Sequence, residues 1–251
     1  MLLVDLTNVA HVAWHGFRGN VDLPRFVVHR IGELAATWQC SRVVCATDSQ
    51  SSFRRDIDPG YKSHRPATDP ALAAAVEETL RAAADRWSMI GAVGYEADDA
   101  IATAVRCARE AGCRVIVLSG DKDLFQCLAA GEVTICRAAR SNRNGGFDCD
   151  WMTERSLYDS RGVLPSQWAD WLALVGDKTD GIVGAKGIGP KTATELLTAT
   201  ESLESLLTEP EKFSTKPSVM ESLQEFRSRA AIVRQLVTLR TDCPLVQEVF
   251  A

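Results

Sequence analysis

No stretch of the 251-residue chain reaches the roughly 18 consecutive apolar residues that a bilayer-spanning helix needs. The opening Met-Leu-Leu-Val-Asp-Leu lacks a basic segment ahead of its apolar run, so it reads as a strand rather than a secretion signal. The eight cysteines (40, 45, 107, 113, 127, 136, 149, 243) form no Cys-x-x-Cys pair and no zinc-finger spacing. Most sit in or beside apolar segments, as small core residues do. The expectation is a reduced, cytoplasmic protein without disulfides. A phosphate-binding Walker loop is also missing, because in the one glycine-rich segment Pro190 interrupts the Gly-Lys pair. An excess of basic residues is missing too. The net charge of −5 argues at first against a nucleic-acid partner.

What the chain does have is carboxylates in unusual places. Gly94-Tyr95-Glu96-Ala97-Asp98-Asp99-Ala100-Ile101-Ala102 packs three acids into four residues. An apolar stripe starts at once: Ala97, Ala100, Ile101, Ala104, Val105, Ala108. That spacing places the acids in the first turn of a helix lying on a core. Acids also favour a helix N-terminus for dipole reasons alone, at a few tenths of a kcal/mol to about 1 kcal/mol. The recurrence of acids elsewhere decides between these readings. Leu2–Leu6, Arg42–Asp48 and Cys113–Asp123 are short apolar runs that each end on an acid: Asp5, Asp48, and Asp121 with Asp123. Helical spacing over 22–38 and 69–87 alternates with these strands, which implies a parallel sheet. Ligand sites in such sheets lie beyond the carboxyl ends of the strands. One strand-end aspartate is a common cap; three strand ends plus the 96–99 cluster point to a bound divalent metal.

The remainder fits around that site. Ser51–Pro66 carries Arg54, Arg55, Lys62 and Arg65, with Phe53 and Tyr61 interleaved, and suits a phosphate-contacting lid. Alone, it could equally be a solvated loop with two aromatic anchors. A strand is expected over 132–136. Arg137, Arg140 and Arg143 follow it, either as a further phosphate edge or as a plain hairpin loop. From Met152 onward the pattern is helical, including 202–207 and 220–239. Within it, Leu172–Asp180 ends an apolar helix in a turn bearing Asp177 and Asp180. Gly184-Ala185-Lys186-Gly187-Ile188-Gly189-Pro190-Lys191-Thr192-Ala193 follows. Its glycines allow close backbone approach, and the helix beginning at Pro190 makes an anion site with Lys186 and Lys191. Setting aside nine of the 33 acids as metal ligands leaves 24 against 28 basic residues, and local potential rather than net charge governs binding to a polyanion.

In this order the motifs resemble the 5′-nuclease superfamily, the group of flap endonucleases, phage 5′-exonucleases and the 5′-nuclease domain of bacterial DNA polymerase I. The resemblance rests on Asp5, on Asp48 with Phe53-Arg54, Tyr61-Lys62 and Arg65, on Gly-Tyr-Glu-Ala-Asp-Asp at 94–99, on Gly-Asp-Lys-Asp-Leu at 120–124, and on Gly-Asp-Lys-Thr-Asp at 176–180. Gly-Ile-Gly-Pro-Lys-Thr-Ala at 187–193 resembles that family's helix–three-turn–helix. The resemblance implies an α/β fold with a mostly parallel central sheet flanked by helices. Residues 1–155 form this nuclease core, with an arch over about 50–80. Residues 156–251 form a helical subdomain, with the helix–three-turn–helix at about 172–200.

The resemblance further implies two Mg²⁺ ions, replaceable by Mn²⁺. Asp5, Asp48, Glu96, Asp98 and Asp121 hold the first, with Asp99 close by. Asp123, Asp177 and Asp180 hold or orient the second. Lys62 and Arg65 reach the scissile phosphate, Tyr61 supports the end base, and Arg54 contacts the DNA backbone. Lys186, Gly187, Gly189, Lys191 and Thr192 grip duplex backbone, with K⁺ at the turn. The partners implied are 5′ flaps, nicked or gapped duplex and 5′ ends, or an RNA–DNA hybrid, bound by a stand-alone, nucleoid-associated monomer. The sequence departs from the family at Leu6, where glycine is usual, at Val12, where arginine is usual, and at Gly181, where asparagine is common. Two rivals are a DNA-structure-binding protein without turnover and a metal-dependent ribonuclease. The intact acids at 123, 177 and 180 speak against the first, and the glycine turn and basic arch against the second.

Overall fold

Short buried strands, each running directly into a helix cap, set the architecture. The structure, a computed structural model, describes residues 1–200 and 202–247. In chain order the elements are β1 (Leu2–Asp5), α1 (Leu6–Gly16), α2 (Leu23–Thr37), β2 (Val43–Ala46), α3 (Phe53–Ile57), α4 (Pro70–Ala84), β3 (Ser88–Gly91) and α5 (Ala97–Glu110). They continue with β4 (Val115–Leu118), a 3₁₀ turn at Asp123–Cys127, β5 (Val133–Ser141), β6 (Phe147–Met152), α6 (Glu154–Arg161) and α7 (Trp168–Val175). Then follow β7 (Gly176–Asp177), β8 (Ile182–Val183), α8 (Pro190–Thr198), α9 (Leu203–Thr208), α10 (Pro217–Val237) and β9 (Val246–Gln247). No helix among the described residues is long and apolar enough to cross a membrane. The eight cysteines are free thiols.

The chain divides into two compact units. The first takes residues 1–52 and 66–153 and the segment from Leu239 onward. Its sheet runs β6-β5-β4-β1-β2-β3-β9. The central five strands are parallel, with Leu2 opposite Val43 and Ile116, and β6 and β9 pair antiparallel at the two edges. Strands buried on both faces read as continuous apolar runs, and β1, Leu-Leu-Val-Asp, is buried throughout. On one face Leu2, Val4, Cys45, Met89 and Leu118 pack with Leu6, Val27, Ile31, Leu34, Leu72 and Val76 of α1, α2 and α4. Burial of about 1.5–3 kcal/mol per large side chain makes this layer the main support of the unit. Aspartates start the helices: Asp22 accepts the Arg25 amide and Asp69 the Ala71 amide, each with a proline in the first turn.

The second unit takes Phe53–Arg65 and Glu154–Thr238. It is helical apart from the two-residue β7–β8 ladder, which pairs Gly176 with Val183 and Asp177 with Ile182. Trp168 and Trp171 stack with ring centroids 4.8 Å apart inside it.

The mostly parallel α/β sheet expected from the sequence is observed, and several elements lie outside that reading, α3 and the β7–β8 ladder among them. Helix α1 follows Asp5 without a loop, and β3 carries too short an apolar run to signal itself. Strand β6 completes an antiparallel hairpin with β5, lengthening the strand expected over 132–136 and making 142–146 its loop. Strand β9 returns the chain to the sheet within the stretch whose sequence pattern is helical from Met152 onward. Two residues cannot show a periodicity; β9 is specified by its partner, Ile90-Gly91 of β3.

Candidate active site

Strands β4, β1 and β2 are neighbours and parallel, so the chain leaves all three at the same end of the sheet. Asp5 closes β1 and also caps α1, its Oδ1 accepting the Asn8 amide at 3.0 Å. Asp48 lies two residues beyond β2, and its Oδ1 accepts the amide of Ala97, the first residue of α5, at 3.0 Å. Asp121 follows β4 through Ser119 and Gly120, and its Oδ1 accepts the Asp123 amide at 2.9 Å. Asp98 stands in the first turn of α5.

Electrostatics bind these positions into one group. Burial, then the charge of Asp48, pushes the Asp5 carboxyl from its ordinary 3.8 up to about 7; Asp121 adds to the rise, and hydrogen bonds from Ser119 and Asn8 oppose it. Burial also raises Asp98 well above the carboxylate range, reinforced by Asp121, Asp5, Asp123 and Asp48. Two buried carboxylates that feel so many neighbouring acids are poorly stable as anions. A divalent cation reverses that balance, being the largest local charge in such a site. An all-oxygen donor set suits a hard divalent cation. The donors therefore fit the metal implied by the sequence.

Two of the 96–99 acids behave differently from the rest. Glu96 is half-buried at the start of α5. Asp99 is fully buried, with one oxygen accepting the Glu96 amide at 3.2 Å and the other the Arg240 amide at 2.9 Å. This corrects its assignment to the metal group. Its carboxylate completes the capping of α5 and fastens the returning 239–247 segment, so backbone N–H groups already engage both oxygens.

In the second unit, Asp177 and Asp180 sit on the β7–β8 turn, both buried. Asp177 accepts the Thr179 amide at 2.9 Å, the local bond that aspartate makes in turns. Asp180 is clasped by the segment expected to contact phosphate. Arg65 Nη2 lies 2.5 Å from its Oδ1, while the Tyr61 hydroxyl donates to Oδ2 at 3.0 Å and Lys62 Nζ lies 3.7 Å from the same oxygen. The Lys62 amide also donates to the Asp180 carbonyl at 2.9 Å, with Lys62 in the left-handed region at φ 55°. Gly181 makes room for this segment: a Cβ there would come within 3.0 Å of His64 Nδ1. The glycine that departs from the family pattern thus has a local steric reason.

Two roles in this segment need correction. Tyr61 is 3% exposed, with its ring under Lys62 and its hydroxyl on Asp180, so it presents no face to a base. Arg54 is 2% exposed and donates to the Leu236 and Thr238 carbonyls at 2.8 and 3.3 Å. It caps the C-terminus of α10, as a cation does at the negative end of a helix, with its guanidinium buried away from the surface.

The glycine-rich turn opens α8 at the surface. Lys186, Gly187 and Lys191 are exposed, Gly187 is left-handed at φ 75°, and Pro190 opens α8. Gly189 is the N-cap residue of α8, and Thr192 lies half-buried in its first turn. Ser222 of α10 donates to the Lys186 carbonyl at 2.6 Å and anchors the turn. Sequence reasoning passed over Asn8 and Ser119, two uncharged residues bonded to the acids. A search for carboxylates does not find them; their place beside Asp5 and before Gly120-Asp121 is the only signal.

Comparison with known proteins decides the family. Residues 1–160 match the 5′-3′ exonuclease N-terminal resolvase-like domain, and residues 163–250 match the 5′-3′ exonuclease C-terminal SAM fold. The chain belongs to the 5′-3′ exonuclease family. Among its relatives, the Bacillus subtilis 5′-3′ exonuclease is 34% identical over 213 residues, covering 83% of this chain and 69% of that one. The Bacillus subtilis DNA polymerase I is 35% identical over 198 residues, 78% of this chain, and the thermostable Thermus aquaticus DNA polymerase I is 31% identical over 255 residues, 98% of this chain. This 5′-3′ exonuclease family member spans 22% and 29% of those two polymerases. Among solved structures, T5 5′-exonuclease with bound divalent metal ions (zinc) superposes with a TM-score of 0.78 at 19% identity, over 94% of this chain and 87% of that one. The catalytic core of Rad2 in complex with DNA substrate gives 0.58 at 15%, over 99% and 82%. At those identities the likeness is one of fold.

Proposed function

We propose that this family member is a divalent-metal-dependent, structure-specific 5′ nuclease, cutting DNA as a 5′→3′ exonuclease and flap endonuclease in replication, repair or primer removal. The observation that carries the reading is the raised carboxyls of Asp5 and Asp98, both pushed up by burial and by the charges of Asp48 and Asp121, with Asp5 and Asp123 adding to Asp98. The expected ions are Mg²⁺, with Mn²⁺ as a substitute. When bound, such ions supply Lewis acidity to the phosphodiester and lower the pKa of the attacking water.

The chain's own residues do the rest. Asp5, Asp48, Asp98 and Asp121, with Glu96, hold the first ion, and Asp177 and Asp180 serve a second. Lys62 and Arg65 neutralise charge that develops on the scissile phosphate. Lys186, Gly187, Gly189, Lys191 and Thr192 hold duplex backbone remote from the cut, with K⁺ at the turn. The substrates proposed are 5′ flaps, nicked or gapped duplex and 5′ ends, or the RNA of an RNA–DNA hybrid, taken by a monomer at the nucleoid.

The test is cleavage of 5′-labelled flap, nicked and single-stranded DNA with and without Mg²⁺, in the wild type and in Asp121→Ala/Asp123→Ala. The double variant should lose Mg²⁺-dependent cleavage and keep structure-specific binding. Unchanged cleavage would refute the metal assignment.

A further inference from the structure

Asp5 and Asp121, at the carboxyl end of the sheet, are joined by hydrogen bonds that pass through two neutral residues, Ser119 by its hydroxyl and Asn8 by its main-chain N–H and its side-chain oxygen. Asp5 Oδ1 accepts the Asn8 amide at 3.0 Å, and Asp5 Oδ2 accepts the Ser119 hydroxyl at 2.7 Å. The same hydroxyl accepts the Asp121 amide at 3.1 Å. Asn8 Oδ1 accepts the Gly120 amide at 2.9 Å, and Asp121 Oδ1 accepts the Asp123 amide at 2.9 Å. Ser119 is 1% exposed. A Cβ on Gly120 would stand 3.3 Å from Asn8 Oδ1, so glycine is what lets this turn lie against the Asn8 amide. The junction of β1 with α1 and the end of β4 are thereby fastened together at two points, Ser119 on Asp5 and Gly120 on Asn8.

We infer that Asn8 and Ser119 are positioning residues for the metal group, setting the orientation of the Asp5 carboxylate and its separation from Asp121. Two carboxylates with like charge and free rotation would turn apart, and a cation would then have to bear the cost of reorienting them. Here the Ser119 hydroxyl fixes one Asp5 oxygen and the Asp121 main chain at once, while the Asn8 main-chain N–H holds the other Asp5 oxygen and the Asn8 side-chain oxygen tethers the intervening Gly120 to it. Supporting bonds of this kind typically govern about 10–100-fold in metal affinity. This inference rests on the metal-dependent reading above.

The experiment titrates Mn²⁺ into the full chain by calorimetry, without DNA, for wild type, Ser119→Ala, Asn8→Ala, the double variant and Ser119→Thr. Circular dichroism and metal-free duplex binding are followed for each. Ser119→Ala and Asn8→Ala should each weaken Mn²⁺ by about 10–100-fold. The double variant should lose less than the product of the two, because both bonds hold one turn. Ser119→Thr, which keeps the hydroxyl, should recover most of the affinity, and duplex binding should stay at the wild-type level. The Mg²⁺ concentration for half-maximal flap cleavage should rise in parallel while KM for DNA holds. Wild-type Mn²⁺ affinity in Ser119→Ala or Asn8→Ala overturns the inference, as does a loss of duplex binding equal to the loss of metal, which marks a general structural defect. A wild-type chain that binds no Mn²⁺ is a separate result and removes the metal reading itself.

Discussion

Arg65 closes on Asp180, with Nη2 2.5 Å from Oδ1. The acid assigned to a divalent ion is therefore met, within its own unit, by a cation assigned to the substrate phosphate. The Arg65 side chain is 45% exposed, and ion pairs so exposed are worth about 0–1 kcal/mol. Loss of one preorganised transition-state donor costs about 10²–10³ in rate. Function, not stability, should dominate. Arg65→Ala should lower the thermal midpoint by no more than a few degrees, about what 1 kcal/mol gives in a chain this size. Single-turnover cleavage of a labelled flap should slow by about 10²–10³. An unchanged rate would remove Arg65 from the chemistry.

The acid group makes stability depend on pH in an unusual direction. Most native carboxylates have lowered pKa values and lose stability on acidification. Asp5 is raised from 3.8 to about 7, so between those values the folded chain holds a proton that the unfolded chain has released. Its contribution is therefore present near pH 4 and lost as pH climbs to about 7. A rise of that size corresponds to on the order of 4 kcal/mol. In EDTA, urea unfolding at pH 5 and pH 8 should show wild type losing stability relative to Asp5→Asn as pH rises. Mg²⁺ should restore stability to the wild type at pH 8 by binding the native state alone. Parallel pH profiles for the two proteins would contradict the raised acidity.

Arg54 reads from sequence as a DNA contact, and its bonds to Leu236 and Thr238 assign it to packing instead. A charged donor lost from such bonds costs about 1.5–3 kcal/mol. Arg54→Met should destabilise the chain by about 2 kcal/mol in urea and leave the salt dependence of duplex binding unchanged. A flatter salt slope with normal stability would return Arg54 to the interface.

The fate of Arg54 shows what the sequence could and could not reveal. The parallel strands were legible because each is a buried apolar run closed by an acid, and α5 because its stripe follows the acids directly. The same signals located Asp5, Asp48, Asp98, Asp121 and Asp123. Charge alone, however, does not tell a solvent-facing arginine from one buried against helix carbonyls, nor a metal-facing Asp99 from one capping its own helix. That distinction depends on partners far away in the chain: Leu236 for Arg54 and Arg240 for Asp99. Strand β9 was invisible for the same reason, being specified by β3 rather than by its own residues.

The glycine turn offers the cleanest separation of binding from chemistry. Lys186 and Lys191 are exposed around a left-handed Gly187, at the free N-terminus of α8. Each phosphate neutralised on B-DNA releases counterions and adds about 0.9 to the slope of log affinity against log salt. Lys186→Ala with Lys191→Ala should therefore reduce that slope by up to roughly two and weaken duplex binding most at low salt. Among the described residues neither side chain makes an ion pair or hydrogen bond, so the thermal midpoint should hold. Cleavage at saturating DNA should also stay near wild type, because the turn is assigned to duplex far from the scissile bond. An unaltered salt slope would take this turn out of the DNA interface, even if the acid group and its metals stood as described.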